Sequence, residues 1–178
     1  ESKITRSVNT IYKENETIIG HNTDIAGFEL SLRHCKYNVQ NKNILILGAG
    51  GVVPSIVFAL KNMMVKKIVI SNRTRVKADE IKKIFQDVEI INWGELYDFD
   101  MIINATSLGL NNQDEIKLDY NNIGSDKFFF DVIYNPKETN FLKKAQKLGH
   151  RVQNGKYMFL YQAHQAFTIW HKQMPTID

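Results

Sequence analysis

Asn43-Ile44-Leu45-Ile46-Leu47-Gly48-Ala49-Gly50-Gly51 is the stretch on which the reading of this chain turns. Four consecutive aliphatic residues, Ile44 to Leu47, suit a strand buried on both faces, since alternation with polar residues is needed only where one face meets water. The glycines then turn the chain, and an apolar run through about Met63 reads as a helix. Pro54 fits the first helical turn, where its missing N–H costs little. In a strand–turn–helix unit the first glycine permits the tight turn. The second lets the backbone approach a pyrophosphate at the positive end of the helix. A bare G-x-G also occurs as a plain turn, and it is the context that favours a dinucleotide. Val53 occupies the third small position of the fingerprint, which predicts a helix set slightly further from its strand.

Outward from this unit the same alternation continues. Strands are expected over Lys67–Ser71, Val88–Ile91, Met101–Asn104 and Phe128–Ile133, with helices over Val76–Phe85 and Thr139–Leu148. Alternating strands and helices imply right-handed crossovers, an α/β class and a Rossmann-type doubly wound parallel sheet. The first residues differ. Segments 7–13 and 17–21 read as a hairpin about Glu14-Asn15-Glu16, and facing Lys13 with Thr17 puts Asn9 opposite His21. Asn22-Thr23-Asp24 then lies close to Asn9. Ile25, Phe28, Leu32 and Cys35 mark a helix over 25–35 with Thr23 or Asp24 at its N-cap. A long helix from Tyr157 to about His171 carries Phe159, Ala163, Phe167 and Trp170. The expected organisation is a hairpin and helix (1–39), a dinucleotide domain (40–150), and a C-terminal helix (151–178) returning to the first unit.

The 178 residues are 43% hydrophobic and 24% charged, a globular balance that excludes collagen and disorder. The longest apolar runs are far short of a membrane span, and no signal-peptide pattern is present. Cys35 is the single cysteine, so an internal disulfide is excluded, and the five histidines show no metal-ligand spacing. The net charge of +4 comes without a basic stripe, which argues against nucleic acid. Its one local cluster, Arg73-Thr74-Arg75-Val76-Lys77, suits a small anion. That cluster also selects the dinucleotide. An NAD site would place a carboxylate after the second strand, whereas Ser71-Asn72-Arg73-Thr74 stands there. Arg73 can grip a 2′-phosphate with a planar fork, Asn72 and Thr74 can donate to it, and Arg75 or Lys77 can add charge. The expected cofactor is NADP. Asn104-Ala105-Thr106-Ser107-Leu108-Gly109 and Tyr134-Asn135-Pro136 end two further strands. Their small residues suit either a nicotinamide lying against the backbone or ordinary turns.

Taken together these segments resemble the shikimate dehydrogenase family. The matching motifs are Ser7-Val8-Asn9-Thr10, Asn22-Thr23-Asp24, Gly48-Ala49-Gly50-Gly51, Asn72-Arg73-Thr74, Asn104 to Gly109, Asp131-Val132-Ile133-Tyr134-Asn135-Pro136, and Gly155 followed by Gln162-Ala163. The resemblance implies NADPH-dependent reduction of 3-dehydroshikimate to shikimate, in the cytoplasmic route to aromatic amino acids, by a monomer or homodimer. It implies substrate contacts from Asn9, Asp24, Tyr134 and Gln162, with Asp24 as the carboxylate of a catalytic Lys–Asp pair. It places Gly48, Ala49, Gly50, Gly51, Asn72, Arg73, Thr74, Asn104, Ala105, Thr106, Ser107 and Gly155 at the cofactor. Two departures stand out. The family's T-x-P-x-K and S-x-S motifs are absent, and the sequence opens at Glu1 rather than Met. The expectation is therefore a chain lacking most of the substrate domain, able to bind NADP with little turnover. Tyr157 also stands where the family has a second glycine. A quinate-type dehydrogenase and a non-catalytic NADP-binding module are the alternatives.

Overall fold

Strands that run parallel cannot be joined by tight turns, so the chain must cross the sheet each time, and the element order follows from that need. The computed structural model describes residues 2–111 and 113–176. Glu1, and Ile177 and Asp178 at the end of the 151–178 segment, lie outside the described residues. The chain opens with a single helical turn, α1 (Ser2–Thr5), and a hairpin of β1 (Thr10–Glu14) and β2 (Thr17–His21). Helix α2 (Asp24–His34) follows. The doubly wound part runs β3 (Asn43–Leu47), α3 (Val53–Asn62), β4 (Lys67–Ser71), α4 (Arg75–Ile84), β5 (Glu89–Ile91), β6 (Met101–Asn104), β7 (Phe128–Asp131), α5 (Asn140–Lys147) and β8 (Arg151–Gln153). Helix α6 (Lys156–His171) ends the fold.

The sheet order is β5-β4-β3-β6-β7-β8, with every pairing parallel. From β3 the chain winds outward to β5, then returns to lay β6 on the other side of β3. The crevice at this switch of direction is where such sheets bind ligands. Alternation along β3 divides the core into two layers. Ile44 and Ile46 pack with Phe28, Ile56 and Leu60 on the α2–α3 side. Leu45 and Leu47 pack with Ile102, Phe129 and Phe141 on the α5 side. Burial on both faces accounts for the unbroken aliphatic run, each such side chain contributing about 1.5–3 kcal/mol. Val53 is fully buried at the start of α3, so the crevice tolerates its bulk.

Helices α2 and α6 pack against each other. A Cβ at Gly27 would lie 2.8 Å from the Met158 carbonyl oxygen and 2.9 Å from Gln162 Cβ, so glycine sets the helix separation. On the other side of α2, Phe28 meets Phe130 edge to face at 5.3 Å.

Three expectations need correction. The hairpin pairs Thr10 with His21 and Glu14 with Thr17, one residue away from the expected register. Its turn is two residues, Asn15 and Glu16, at φ 46° and 66°, the left-handed geometry that matches strand twist. Residues 7–9 precede the ladder, although the Asn9 N–H still donates to the His21 carbonyl at 3.1 Å. Thr23 holds the N-cap position of α2, but its hydroxyl does not cap, and Asp24 is the first helical residue. Strand β7 stops at Asp131 rather than Ile133, because the Asp131 carboxylate accepts the Ile133 N–H and turns the chain. The short elements α1 and β8 carry too few residues to show a period. Among the described residues no helix is long and apolar enough to cross a membrane.

Among the described glycines, Gly155 at the start of α6 leaves the least room for a side chain. A Cβ there would lie 1.9 Å from the Val132 carbonyl oxygen, whereas one at Gly51 would meet nothing within 4 Å. Gly155→Ala is therefore expected to cost about 2 kcal/mol or more in chemical denaturation. Gly51→Ala should stay within about 0.5 kcal/mol of the wild type. Equal costs for the two would contradict this packing.

Candidate functional site

Ending β3 at the switch point leaves the turn 48–51 facing the end of β4. The Gly48 N–H donates to the Ser71 carbonyl at 2.8 Å, which ties the two strand ends together. Gly50 and Gly51 are exposed ahead of α3. With no side chain over them, an anion can approach the helix N-terminus directly. A cleft of about 290 Å³ opens here, lined by Gly48, Ala49 and Gly50, by Asn72, Arg73, Thr74 and Lys77, and by Trp93 and residues 105–108. Arg73 is exposed, and among the described residues no carboxylate pairs with it. Arg75 instead reaches back to Asp79 on its own helix, Nε to Oδ1 3.4 Å, leaving Lys77 as the second cation of the cleft. Asn72 donates to the Thr74 carbonyl at 2.7 Å, which shapes the turn that presents Arg73.

The far wall of the cleft is organised from beneath. Asn104 is fully buried, and its amide donates to the Leu108 carbonyl and to Asp131 Oδ1, both at 3.0 Å. Its oxygen accepts from the Thr106 N–H at 3.0 Å and from the Thr106 hydroxyl at 2.7 Å. Thr106 Oγ1 in turn accepts the Leu108 N–H. Asn104 therefore shapes the loop, while Ala105, Thr106 and Ser107 face the cleft. Asp131 is wholly buried and also accepts from the Thr139 hydroxyl at 2.6 Å. Burial pushes its carboxyl up to about 6, against the pull of those hydrogen bonds.

A second polar corner stands at the start of α2 and is tied to the first turn of α3. Asn9 Nδ2 donates to Asp24 Oδ1 at 2.9 Å, and Asn9 Oδ1 accepts from the Thr23 N–H at 2.9 Å. The Thr23 hydroxyl lies 3.1 Å from Asn9 Oδ1 and 3.3 Å from Gln162 Oε1, so its one proton serves either oxygen. Burial raises the Asp24 carboxyl above its usual range, opposed by the Asn9 hydrogen bond. Asn22 joins this corner to the cofactor side. Its oxygen accepts the Asp24 N–H at 3.1 Å, and its amide donates to Ser55 Oγ on the first turn of α3 at 2.9 Å. Tyr134, nearly half exposed, stacks on Phe159 at 4.6 Å. Tyr157 is stacked on His34 at 3.6 Å, so its ring is engaged with α2.

The structure thus groups the expected residues into a cofactor cleft and an Asn9–Asp24–Gln162 corner. Gly155 lies outside the cleft lining, packed on Val132 with its N–H donating to the Ile133 carbonyl. Sequence reasoning missed Trp93, whose position directly after β5 in a polar turn was the available signal. Asn22 was read only as part of the Asn22-Thr23-Asp24 motif, and its tie to Ser55 left no signal in the sequence.

An open parallel sheet with a glycine turn, an exposed arginine after the next strand and a polar corner tied to the first turn of the intervening helix defines a doubly wound dinucleotide-binding protein. Residues 29–151 match the family model described as shikimate / quinate 5-dehydrogenase. The chain is 61% identical over its full length to the shikimate dehydrogenase (NADP(+)) of Pelagibacter ubique (strain HTCC1062), covering 67% of that protein. It superposes with a TM-score of 0.89 on the crystal structure of shikimate dehydrogenase from Aquifex aeolicus, at 37% identity, over 98% of this chain and 65% of that one. The same score is reached with 5-ketofructose reductase of Gluconobacter sp. strain CHM43, at 30% identity, over 98% of this chain and 66% of that one. The chain spans about two thirds of the length of these relatives. It belongs to the shikimate/quinate 5-dehydrogenase family.

Asp131 gives a pH signature. A carboxyl near 6 in the fold and near 3.8 when unfolded favours the protonated folded state. That contribution is complete below pH 3.8 and is lost as the pH rises through 6. The stability of the wild type relative to Asp131→Asn should therefore fall by up to about 3 kcal/mol between pH 4 and pH 7. A pH-independent difference in urea denaturation would contradict the assignment.

Proposed function

We propose that this protein works as an NADP-dependent shikimate dehydrogenase, interconverting 3-dehydroshikimate and shikimate. One juxtaposition carries the reading. The glycine turn and Arg73 line the cleft at the start of α3, and the Asn9-held carboxylate of Asp24 is tied to the first turn of the same helix through Asn22 and Ser55. The residues present suit NADP. The exposed Gly50-Gly51 backbone takes the pyrophosphate, and Arg73, with Thr74 and Lys77, takes the 2′-phosphate. When bound, NADPH supplies the hydride for the substrate's ketone carbon. Asn9, Asp24 and Gln162 bind the substrate hydroxyls, with Tyr134 closing the side towards α6. An alkoxide developing at that carbon needs a proton from a positioned acid. Asp24, whose burial favours the protonated form, supplies the carboxylate of a Lys–Asp pair that delivers it, and the lysine of that pair belongs to the T-x-P-x-K motif, which these 178 residues do not contain. Segments 1–39 and 151–178 serve the substrate side and 40–150 the cofactor side. A cytoplasmic location goes with this reading, since the cofactor is drawn from the cell's own reductant pool.

The similarity to 5-ketofructose reductase supports a second reading, in which the same corner takes another polyhydroxylated ketone. Oxidation rates with shikimate, quinate and the reduced product of 5-ketofructose separate the two.

Arg73→Asp should weaken NADP(H) at least ~30-fold, the weight of a lost phosphate clamp, while NAD(H) changes by no more than ~3-fold. Equal losses for both would remove the 2′-phosphate role. In a protein that joins these residues to a segment carrying the T-x-P-x-K motif, Asp24→Asn should lower kcat by about 100-fold or more, as expected for loss of acid–base assistance, with a smaller change in the KM for substrate. An unchanged kcat would overturn the role of Asp24.

A further inference from the structure

A buried carboxylate with no cationic partner needs a reason, and Asp131 is such a group: it is wholly buried, and among the described residues no ion pair involves it. We infer that Asp131 is a positioning residue for the nicotinamide half of the cofactor, clamping the loop after β6 to the turn after β7 and the first turn of α5. The inference rests on the NADP reading of the cleft.

Three donors from three segments converge on this carboxylate. Oδ1 accepts from Asn104 Nδ2 and from the Ile133 N–H, both at 3.0 Å, and Oδ2 accepts from Thr139 Oγ1 at 2.6 Å. Only an acceptor with two oxygens serves all three, and an amide in its place would turn a donor towards one of them. Through Asn104 the clamp reaches the whole loop, because the same side chain holds Thr106 and Leu108. The loop's far end closes on the same partner. Gly109 sits at φ +117°, and a Cβ there would lie 3.1 Å from Thr139 Cγ2. Residues 105–108 are thus fastened at both ends to the Asp131–Thr139 pair, and they form the wall of the cleft facing the glycine turn.

The strand order assigns that wall to one half of the cofactor. Arg73 after β4 takes the adenosine phosphate and the N-terminus of α3 takes the pyrophosphate. The remaining half lies over the ends of β6 and β7, on the opposite side of β3. The fold has little need of the charge, since the β6–β7 ladder and the apolar layers already hold these elements. Burial makes ionisation costly, against the pull of the Thr139, Ile133 and Asn104 hydrogen bonds. A residue that costs stability at neutral pH while shaping a binding wall is what function retains.

The test uses wild type, Asp131→Asn and Thr139→Val, each checked for a cooperative thermal transition. Dissociation constants are measured for NADPH by fluorescence and for 2′,5′-ADP, which carries only the adenosine half, by competition. Both variants should bind NADPH about 10-fold more weakly, the weight of one charge-assisted hydrogen bond. Binding of 2′,5′-ADP, at the distant half of the cleft, should change less than ~2-fold. Unchanged NADPH binding overturns the inference, and so does an equal loss for both ligands, which marks a merely structural role. Should Asp131→Asn fail to fold, Thr139→Val alone decides. A wild type that binds neither ligand overturns the NADP reading itself, and the inference with it.

Discussion

The carbonyl oxygen of Ala105 lies 2.7 Å from where a side chain at position 48 would begin, and Gly48 itself sits at φ +109°. Steric space and backbone conformation together permit only glycine there. This contact seats the turn after β3 against the loop after β6, the two chain segments that part company at the switch point. The cleft is built around it: one wall continues from Gly48 into the N-terminus of α3, the other from Ala105 into Thr106 and Ser107. Moving either wall outward by a methyl group would reshape the trough that a dinucleotide has to follow.

The second requirement is that the Asn9–Asp24 corner keep a fixed relation to that trough. The protein meets it with buried, neutral hydrogen bonds. Asn22 is almost wholly buried, and its amide is shared between Ser55 on α3 and Thr5 on α1, while its oxygen holds the backbone of Asp24. Gly27 brings α6 close enough for Gln162 to reach Thr23. Asn22 and Gly27 therefore govern where Asp24 and Gln162 stand. Such polar links are costly to break, because each freed donor or acceptor would be left dry.

Much of this was legible in the sequence. The aliphatic run of β3, the glycine turn and the arginine after β4 each express a local need, and local needs leave a local pattern. The Asn9–Asp24 pairing survived an error in the hairpin register because Asn9 lies beyond the ladder, where its N–H still finds His21. The error itself came from the turn: a two-residue loop asks for left-handed geometry, and Glu16 gives no sign of adopting it. Less visible were residues whose role exists only across long separations. Asn22 and Ser55 are 33 positions apart, and nothing in either neighbourhood announces the other. Gly27 reads as a weak point in a helix until α6 is laid beside it.

The link between Thr23 and Gln162 spans 139 positions, nearly the whole chain. During synthesis the segments from Asn43 to Gln153, which supply all six strands of the large sheet, leave the ribosome before Gln162 does. The corner that joins Asn9, Thr23 and Gln162 cannot close until α6 has emerged and docked on α2. The order of translation thus makes the cleft beside the glycine turn available first and the Asn9–Asp24–Gln162 corner last.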